Sequence, residues 1–138
     1  MSQTGSLCVV GLGPGTSALL TGQARAALQG ADVIIGYDGY FQWVADLVQD
    51  KECIALPLTQ EVARAQLAVE RALAGQAVSV ISSGDAGIYG MASLVLEVLE
   101  HHQDNAVLPD VVVIPGVSAV NACAALLGAP IAPITVPD

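Results

Sequence analysis

Five times along this chain a short apolar run of strand length is followed by a segment of helical period. The runs are Leu7–Val10, Ala31–Gly36, Glu52–Leu56, Ala77–Ile81 and Asp110–Ile114. The segments between and after them are Thr21–Gln29, Tyr40–Val48, Thr59–Ala74, Met91–His102 and Ser118–Leu127. A strand that must be re-entered from the same end after each helix pairs in parallel with its neighbours, and its faces are then covered by those helices. The pattern therefore predicts an α/β fold, a five-stranded mainly parallel sheet with helices on both faces. At 138 residues, with 54% apolar residues and 14 glycines, the chain has material for one core and too little polarity for disorder.

Local signals sharpen the helices. Leu20, Ala24 and Leu28 fall on one face of the first. In the third, Thr59 stands as the expected N-cap, Val62, Val69 and Leu73 as the apolar face, and Gly75 as the stop. Glu61, Arg64, Glu70 and Arg71 read as its solvated side. Ser118 is the expected cap of the last helix and Gly128 its end.

Charge removes several functions. Four basic residues against thirteen acidic ones give a net −9, and all four, Arg25, Lys51, Arg64 and Arg71, lie at or before position 71. Nucleic acids and anionic membrane surfaces both require cationic side chains, so neither is expected as a partner. The uncharged stretch from Val111 to Val136 is long enough for a membrane span, but Pro115-Gly116, Gly128, Pro130 and Pro133 break it. The N-terminus lacks the basic and apolar parts of a secretory signal, so a cytoplasmic protein is expected. Cys8, Cys53 and Cys123 form no C-x-x-C pair and read as reduced, mostly buried thiols rather than a disulfide or zinc framework. The adjacent His101 and His102 diverge by about 100° on a helix and suit a solvated helix end better than a metal. No metal site is expected.

In parallel sheets ligands bind beyond the carboxyl ends of the strands. That rule places Gly11–Thr16, Tyr37–Tyr40, Ser82–Gly90 and Pro115–Ala119 on one rim. The first loop, GLGPGT, invites a dinucleotide reading, but Thr16 stands where the third glycine belongs and Pro14 removes a donor. A tight turn with nothing bound is the plain alternative; a surface for close approach of a flat ligand or non-phosphate cofactor is the functional one. In SSGDAGIYG, Gly84 and Gly87 free backbone to face a ligand, while Asp85 is placed to cap the next helix or to hold a cationic or hydroxyl-bearing cofactor. Phe41 and Trp43 have a spacing that suits core packing.

Taken in order, VVGLGPGTSALLT, ADVIIGYDGY, ISSGDAGIYGMA and PGVSAVNACAALLGAP resemble the tetrapyrrole methylase family over nearly the whole chain, and GY-x-x-Y with SSGD-x-GIYGMA is similar to its cobalamin-pathway members. The resemblance implies a two-domain S-adenosylmethionine-dependent methyltransferase, usually a homodimer, that acts on a precorrin-type tetrapyrrole. Residues 1–130 would be its N-terminal domain and 131–138 the start of a linker to a C-terminal domain absent from this chain. It implies cofactor contacts at Pro14, Ser83, Gly84, Asp85, Ile88, Ser118 and Ala119, and a substrate surface at Gly11, Gly13 and Gly15. Tyr37 and Asp38 stand near the family's proposed catalytic acid, with Tyr37 at the aligned position and Asp38 one place late. Ala86 replaces a frequent proline of the family. Other members, including diphthine synthase, remain alternatives, and so does a dinucleotide-binding oxidoreductase module. The apolar Ile131–Val136 tail and an unclosed cleft point to self-association. A precorrin's carboxylates also need cations that this acidic chain scarcely has.

Overall fold

A computed structural model describes residues 4–88, 90–102, 104 and 107–129. Strands β1 (Ser6–Gly11), β2 (Val33–Tyr37), β3 (Glu52–Leu56), β4 (Ala77–Ser82) and β5 (Asp110–Ile114) form one sheet in the order β3-β2-β4-β1-β5. Every ladder is parallel, from Ser6 opposite Ala77 and Asp110 to Val33 opposite Glu52 and Val78. The helices are α1 (Gly22–Gly30), α2 (Asp38–Phe41, one turn), α3 (Glu61–Leu73), α4 (Ala92–Glu100) and α5 (Ala119–Leu127).

Strict alternation along each central strand divides the core in two. Leu7, Val9, Val33, Ile35, Val78 and Val80 pack beneath α3 and α4, whereas Val10, Ile34 and Ile81 pack with α1 and the segment after α2 on the other face. Burial on both faces is why these strands read as unbroken apolar runs. It also marks where to look for a site: β1 sends the chain to α1 on one face, and its neighbour β4 sends it to α4 on the other, which makes the β1–β4 boundary a topological switch point.

Several expectations need correction. Thr59 does not cap α3; Gln60 holds that place and its side chain makes no cap bond. The buried stripe of α3 is Arg64, Ala65, Ala68, Val69 and Ala72, rotated from the expected face, so Val62 is exposed and Arg64 is not solvated. Small alanines let α3 lie close to the sheet, and that choice outweighs the larger valine. The expected helix over Tyr40–Val48 is broken into α2 and a 3₁₀ turn, Ala45–Leu47, because Tyr40, Phe41 and Trp43 all turn onto one core patch. The thiols are not mostly buried: Cys53 and Cys123 are exposed on an edge strand and an uncovered helix, and Cys8 is half-buried. Partial burial raises the Cys8 and Cys53 thiols above their ordinary range.

Arg71 of α3 is bonded to Gln76 and forks onto Glu52 of β3. Its guanidinium lowers the Glu52 carboxyl pKa, and Glu52 in turn raises that of Arg71. Both groups face water, so the pair orients an edge more than it stabilises it.

The last helix behaves as its ends predict: the Ser118 hydroxyl accepts from Asn121 N at 3.3 Å, and Gly128 closes it in the left-handed region at φ 63°. None of its residues is buried, however, and Leu126 and Leu127 are 88% and 79% exposed, while Val112 and Val113 of β5 are exposed as well. A helix with two leucines this open to water offers apolar surface to another molecule. The chain is therefore expected to self-associate at micromolar concentration, seen as a sedimentation coefficient that rises with concentration, and Leu126→Glu with Leu127→Glu should return it to monomer. A concentration-independent monomer would contradict this. The expectation for Ile131–Val136 lies outside the described residues. Among the described residues no helix is long and apolar enough to cross a membrane.

Candidate functional site

The four loops do meet at the carboxyl edge, and backbone packing holds them. Gly13 and Gly84 form an isolated antiparallel bridge, with Gly13 N donating to Gly84 O at 3.0 Å and Gly84 N to Gly13 O at 2.8 Å. Gly84 takes φ +61°, which a side chain rarely adopts, and this turns the β4 loop toward α5. At Gly11 a Cβ would lie 2.7 Å from Gly84 O and 2.9 Å from Gly116 N, so three chain segments touch there with no room for a methyl group. Gly15 lies against the Trp43 ring, which ties the first loop to the segment after β2.

Asp85 fastens the β4 loop to the β5 loop. Its Oδ1 accepts from Gly116 N at 2.9 Å and its Oδ2 from Gly87 N at 3.1 Å. It does not cap α4, whose N-cap is Met91 without a side-chain bond. Ser118 is buried, with its hydroxyl engaged to Asn121, and Ala119 follows at the start of α5. A Cβ on Gly84 would come within 3.6 Å of Ser118 Cα and 3.8 Å of Ala119 N, so glycine there leaves a hollow of about one methyl group between closely spaced β4 and β5 loops. Ile88 stands exposed on the same loop, and Pro14 and Ser83 are half-buried.

The expected substrate glycines are less open than the sequence suggests. Gly11 and Gly13 are buried, and both polar groups of Gly13 are engaged by Gly84; Gly15 alone of the three keeps partial exposure. The first loop is also poorly equipped for a pyrophosphate. Leu12 N bonds Ser82 O, Gly13 N bonds Gly84 O, Pro14 has no N–H, and a 3₁₀ turn, Ser17–Leu19, separates the loop from α1. The first donors of the loop are thus engaged or missing, and the loop does not run straight into a helix as a dinucleotide site does.

Tyr37 and Asp38 diverge at the rim. The Tyr37 ring stacks edge-on to Tyr40 at 5.1 Å, whereas Asp38 is exposed beside Phe41, Gln42 and Cys53 in a shallow depression near β3. The structure does not bring Asp38 together with Asp85 or Ser118. Two residues that sequence reasoning passed over enter instead. Tyr40, tilted on Trp43 at 5.1 Å, and Arg64 of α3 line a cavity of about 390 Å³ with Ser82, Ser83 and Met91. Arg64 had a signal: it begins the stripe of alanines at helical spacing. Among the described residues no cluster of three metal-ligating side chains occurs.

Fold and loops together define an α/β domain with its candidate site at the carboxyl edge of a parallel sheet. The chain belongs to the tetrapyrrole (corrin/porphyrin) methylases, whose family model matches residues 6–136. It is 50% identical over 92% of its length to a cobalt-factor III methyltransferase of Priestia megaterium, of which it covers 24%, and 46% identical over 91% to a probable cobalt-factor III C(17)-methyltransferase of Salmonella typhimurium, of which it covers 51%. The crystal structure of the methyltransferase CobJ superposes with a TM-score of 0.82 at 39% identity, over 92% of this chain and 52% of that one. A uroporphyrin-III C-methyltransferase of Thermus thermophilus complexed with S-adenosyl homocysteine gives 0.65 at 27% identity, over 86% of this chain and 48% of its own. The chain thus spans about half or less of the relatives it matches.

Proposed function

We propose that this chain forms the N-terminal part of an S-adenosylmethionine-dependent methyltransferase that methylates a precorrin-type or cobalt-bound tetrapyrrole ring carbon, at C-17 with ring contraction, in cobalamin synthesis. The observation that carries the reading is the close approach of Gly84 to Ser118 and Ala119, fastened by the Asp85 carboxylate on the Gly116 N–H, which brings the β4 and β5 loops together at the carboxyl edge of the sheet. The name of the Salmonella typhimurium relative supports the ring position. In this reading residues 1–130 are the N-terminal domain, 131–138 lead toward a C-terminal domain, and the assembled enzyme is a dimer.

When bound, S-adenosylmethionine supplies an electrophilic sulfonium methyl group. Such a transfer is an in-line displacement that needs donor and acceptor about 3–3.5 Å apart and aligned, so the protein's task is positioning. Pro14, Ser83, Gly84, Asp85, Ile88, Ser118 and Ala119 would hold the cofactor. Ile88 offers an apolar face to it, and the Asp85 carboxylate favours its positive charge. Gly15, with Gly11 and Gly13 beneath it, would bear on the macrocycle.

Calorimetric titration tests the reading. S-adenosylhomocysteine is expected to bind and NAD(H) not to. Binding of NAD(H) without S-adenosylhomocysteine would replace the methyltransferase by the oxidoreductase module.

A further inference from the structure

The cavity between α2, α3 and α4 has a charge arrangement that the cofactor site does not explain. Arg64 lies on its wall and is only 4% exposed. One guanidinium nitrogen, Nη1, donates to Pro57 O at 2.6 Å, and among the described residues the others have neither a carboxylate nor a carbonyl partner. No buried side-chain nitrogen or oxygen among those residues is left without a partner, so the free guanidinium edge keeps contact with solvent in the cavity. A guanidinium carries five donors in a planar fork shaped for carboxylate. The same cavity is lined by Leu58 and Glu61, which places the start of α3 at its mouth, and α3 has no side-chain cap. Its unsatisfied N–H groups add a partial positive charge. Glu61 and Glu97 also line the cavity but are exposed, with no ion pair to Arg64.

The other cations are engaged elsewhere or sit on another helix. Arg71 pairs with Glu52, Lys51 donates to Gln29 O, and Arg25 belongs to α1. A ligand rich in carboxylates therefore finds one buried cation at this edge of the sheet. Serine hydroxyls of Ser82 and Ser83 and the Tyr40 ring complete a wall for an acid group attached to a flat body. The cavity lies on the α3 side of the β4 loop, whereas the Gly84 hollow faces Ser118 on the α5 side.

We infer that the cavity is a carboxylate subsite, in which Arg64 and the open start of α3 receive an acetate or propionate side chain of the macrocycle and so set its orientation. This rests on the proposed function. The carboxylate of the cofactor's amino-acid part has the same chemistry, and the experiment separates the two sources.

Uroporphyrin III serves as the macrocycle probe, read by quenching of Trp43, the single tryptophan, and S-adenosylhomocysteine is titrated by calorimetry. Arg64→Met is expected to weaken uroporphyrin III about tenfold or more, the usual cost of losing a charge-assisted pair, and to leave S-adenosylhomocysteine unchanged. Arg64→Lys keeps a charge and a donor for Pro57 O but no fork, and should fall between. It also decides the matter if the methionine variant fails to fold. Weakening of S-adenosylhomocysteine alone would assign the subsite to the cofactor, and no change in either would reduce Arg64 to a strut for the Pro57 turn; both overturn the inference. A parent chain that binds neither probe overturns the proposed function instead.

Discussion

Gly11→Ala is expected to destabilise the chain by about 3 kcal/mol, toward the upper end for one methyl group forced into a packed site. Backbone surrounds the new Cβ: Gly84 O at 2.7 Å, Gly116 N at 2.9 Å and Ala86 N at 3.1 Å. No flexible side chain is available to yield, so relief requires the β4 and β5 loops to move apart. That motion would also strain the Gly13–Gly84 bridge and widen the hollow beside Ser118. Denaturant unfolding should therefore show a lower midpoint, and S-adenosylhomocysteine affinity should fall in the molecules that remain folded. A variant with parental stability would mean that the three loops are not in contact. Gly22→Ala is the matched control, since no atom lies within 4 Å of its Cβ position and the residue is helical; it should be neutral or slightly stabilising.

The second large effect is expected at Asp85. Its two oxygens each accept from a different backbone N–H, Gly116 and Gly87, and alanine leaves both without that acceptor. Leaving a part-buried donor unsatisfied costs about 1–3 kcal/mol, so Asp85→Ala should lose roughly 2 kcal/mol. Asparagine does not repair the site: it has one carbonyl oxygen, and its NH₂ must then face a donor. Asp85→Asn should retain one bond and sit between alanine and the parent. Because Asp85 joins the two loops that frame the hollow, S-adenosylhomocysteine binding should weaken at least tenfold, on the order of 1.4 kcal/mol, in both variants. Full binding with reduced stability would show that the loops are positioned without it.

The strands of the chain were legible, though not their order in the sheet, because central strands buried on both faces declare themselves as apolar runs, and the glycine loops were legible as a rim because a parallel sheet places all its strand-to-helix turns at one end. What stayed hidden depends on partners distant in sequence. Asp85 looked like a local cap, but its partner Gly116 lies 31 residues on. Arg64 looked solvated because arginine usually is, yet it begins a stripe of alanines whose small size draws α3 onto the sheet and takes the guanidinium with it. Tyr40–Val48 carried a helical apolar pattern, but its aromatic residues satisfy that pattern by folding onto one patch, and the helix stops after a single turn. Asp38 was favoured by position in the chain, and one residue of displacement suffices to turn it from the rim toward β3.

The place of β1 has a further consequence for how the polypeptide comes into being. Ser6 pairs with Ala77 on one side and with Asp110 on the other, so the earliest strand to leave the ribosome has no neighbour until β4 has emerged. At about 5–20 residues per second, roughly 4–14 s pass before the first of those partners exists. Through that interval Leu7, Val9 and Val10, destined for full burial, wait in an extended apolar stretch, while β2 and β3 are already able to zip together as neighbours. Assembly of the nascent sheet thereby starts at the β2–β3 edge, takes in β1 only with β4, and ends at the opposite edge with β5.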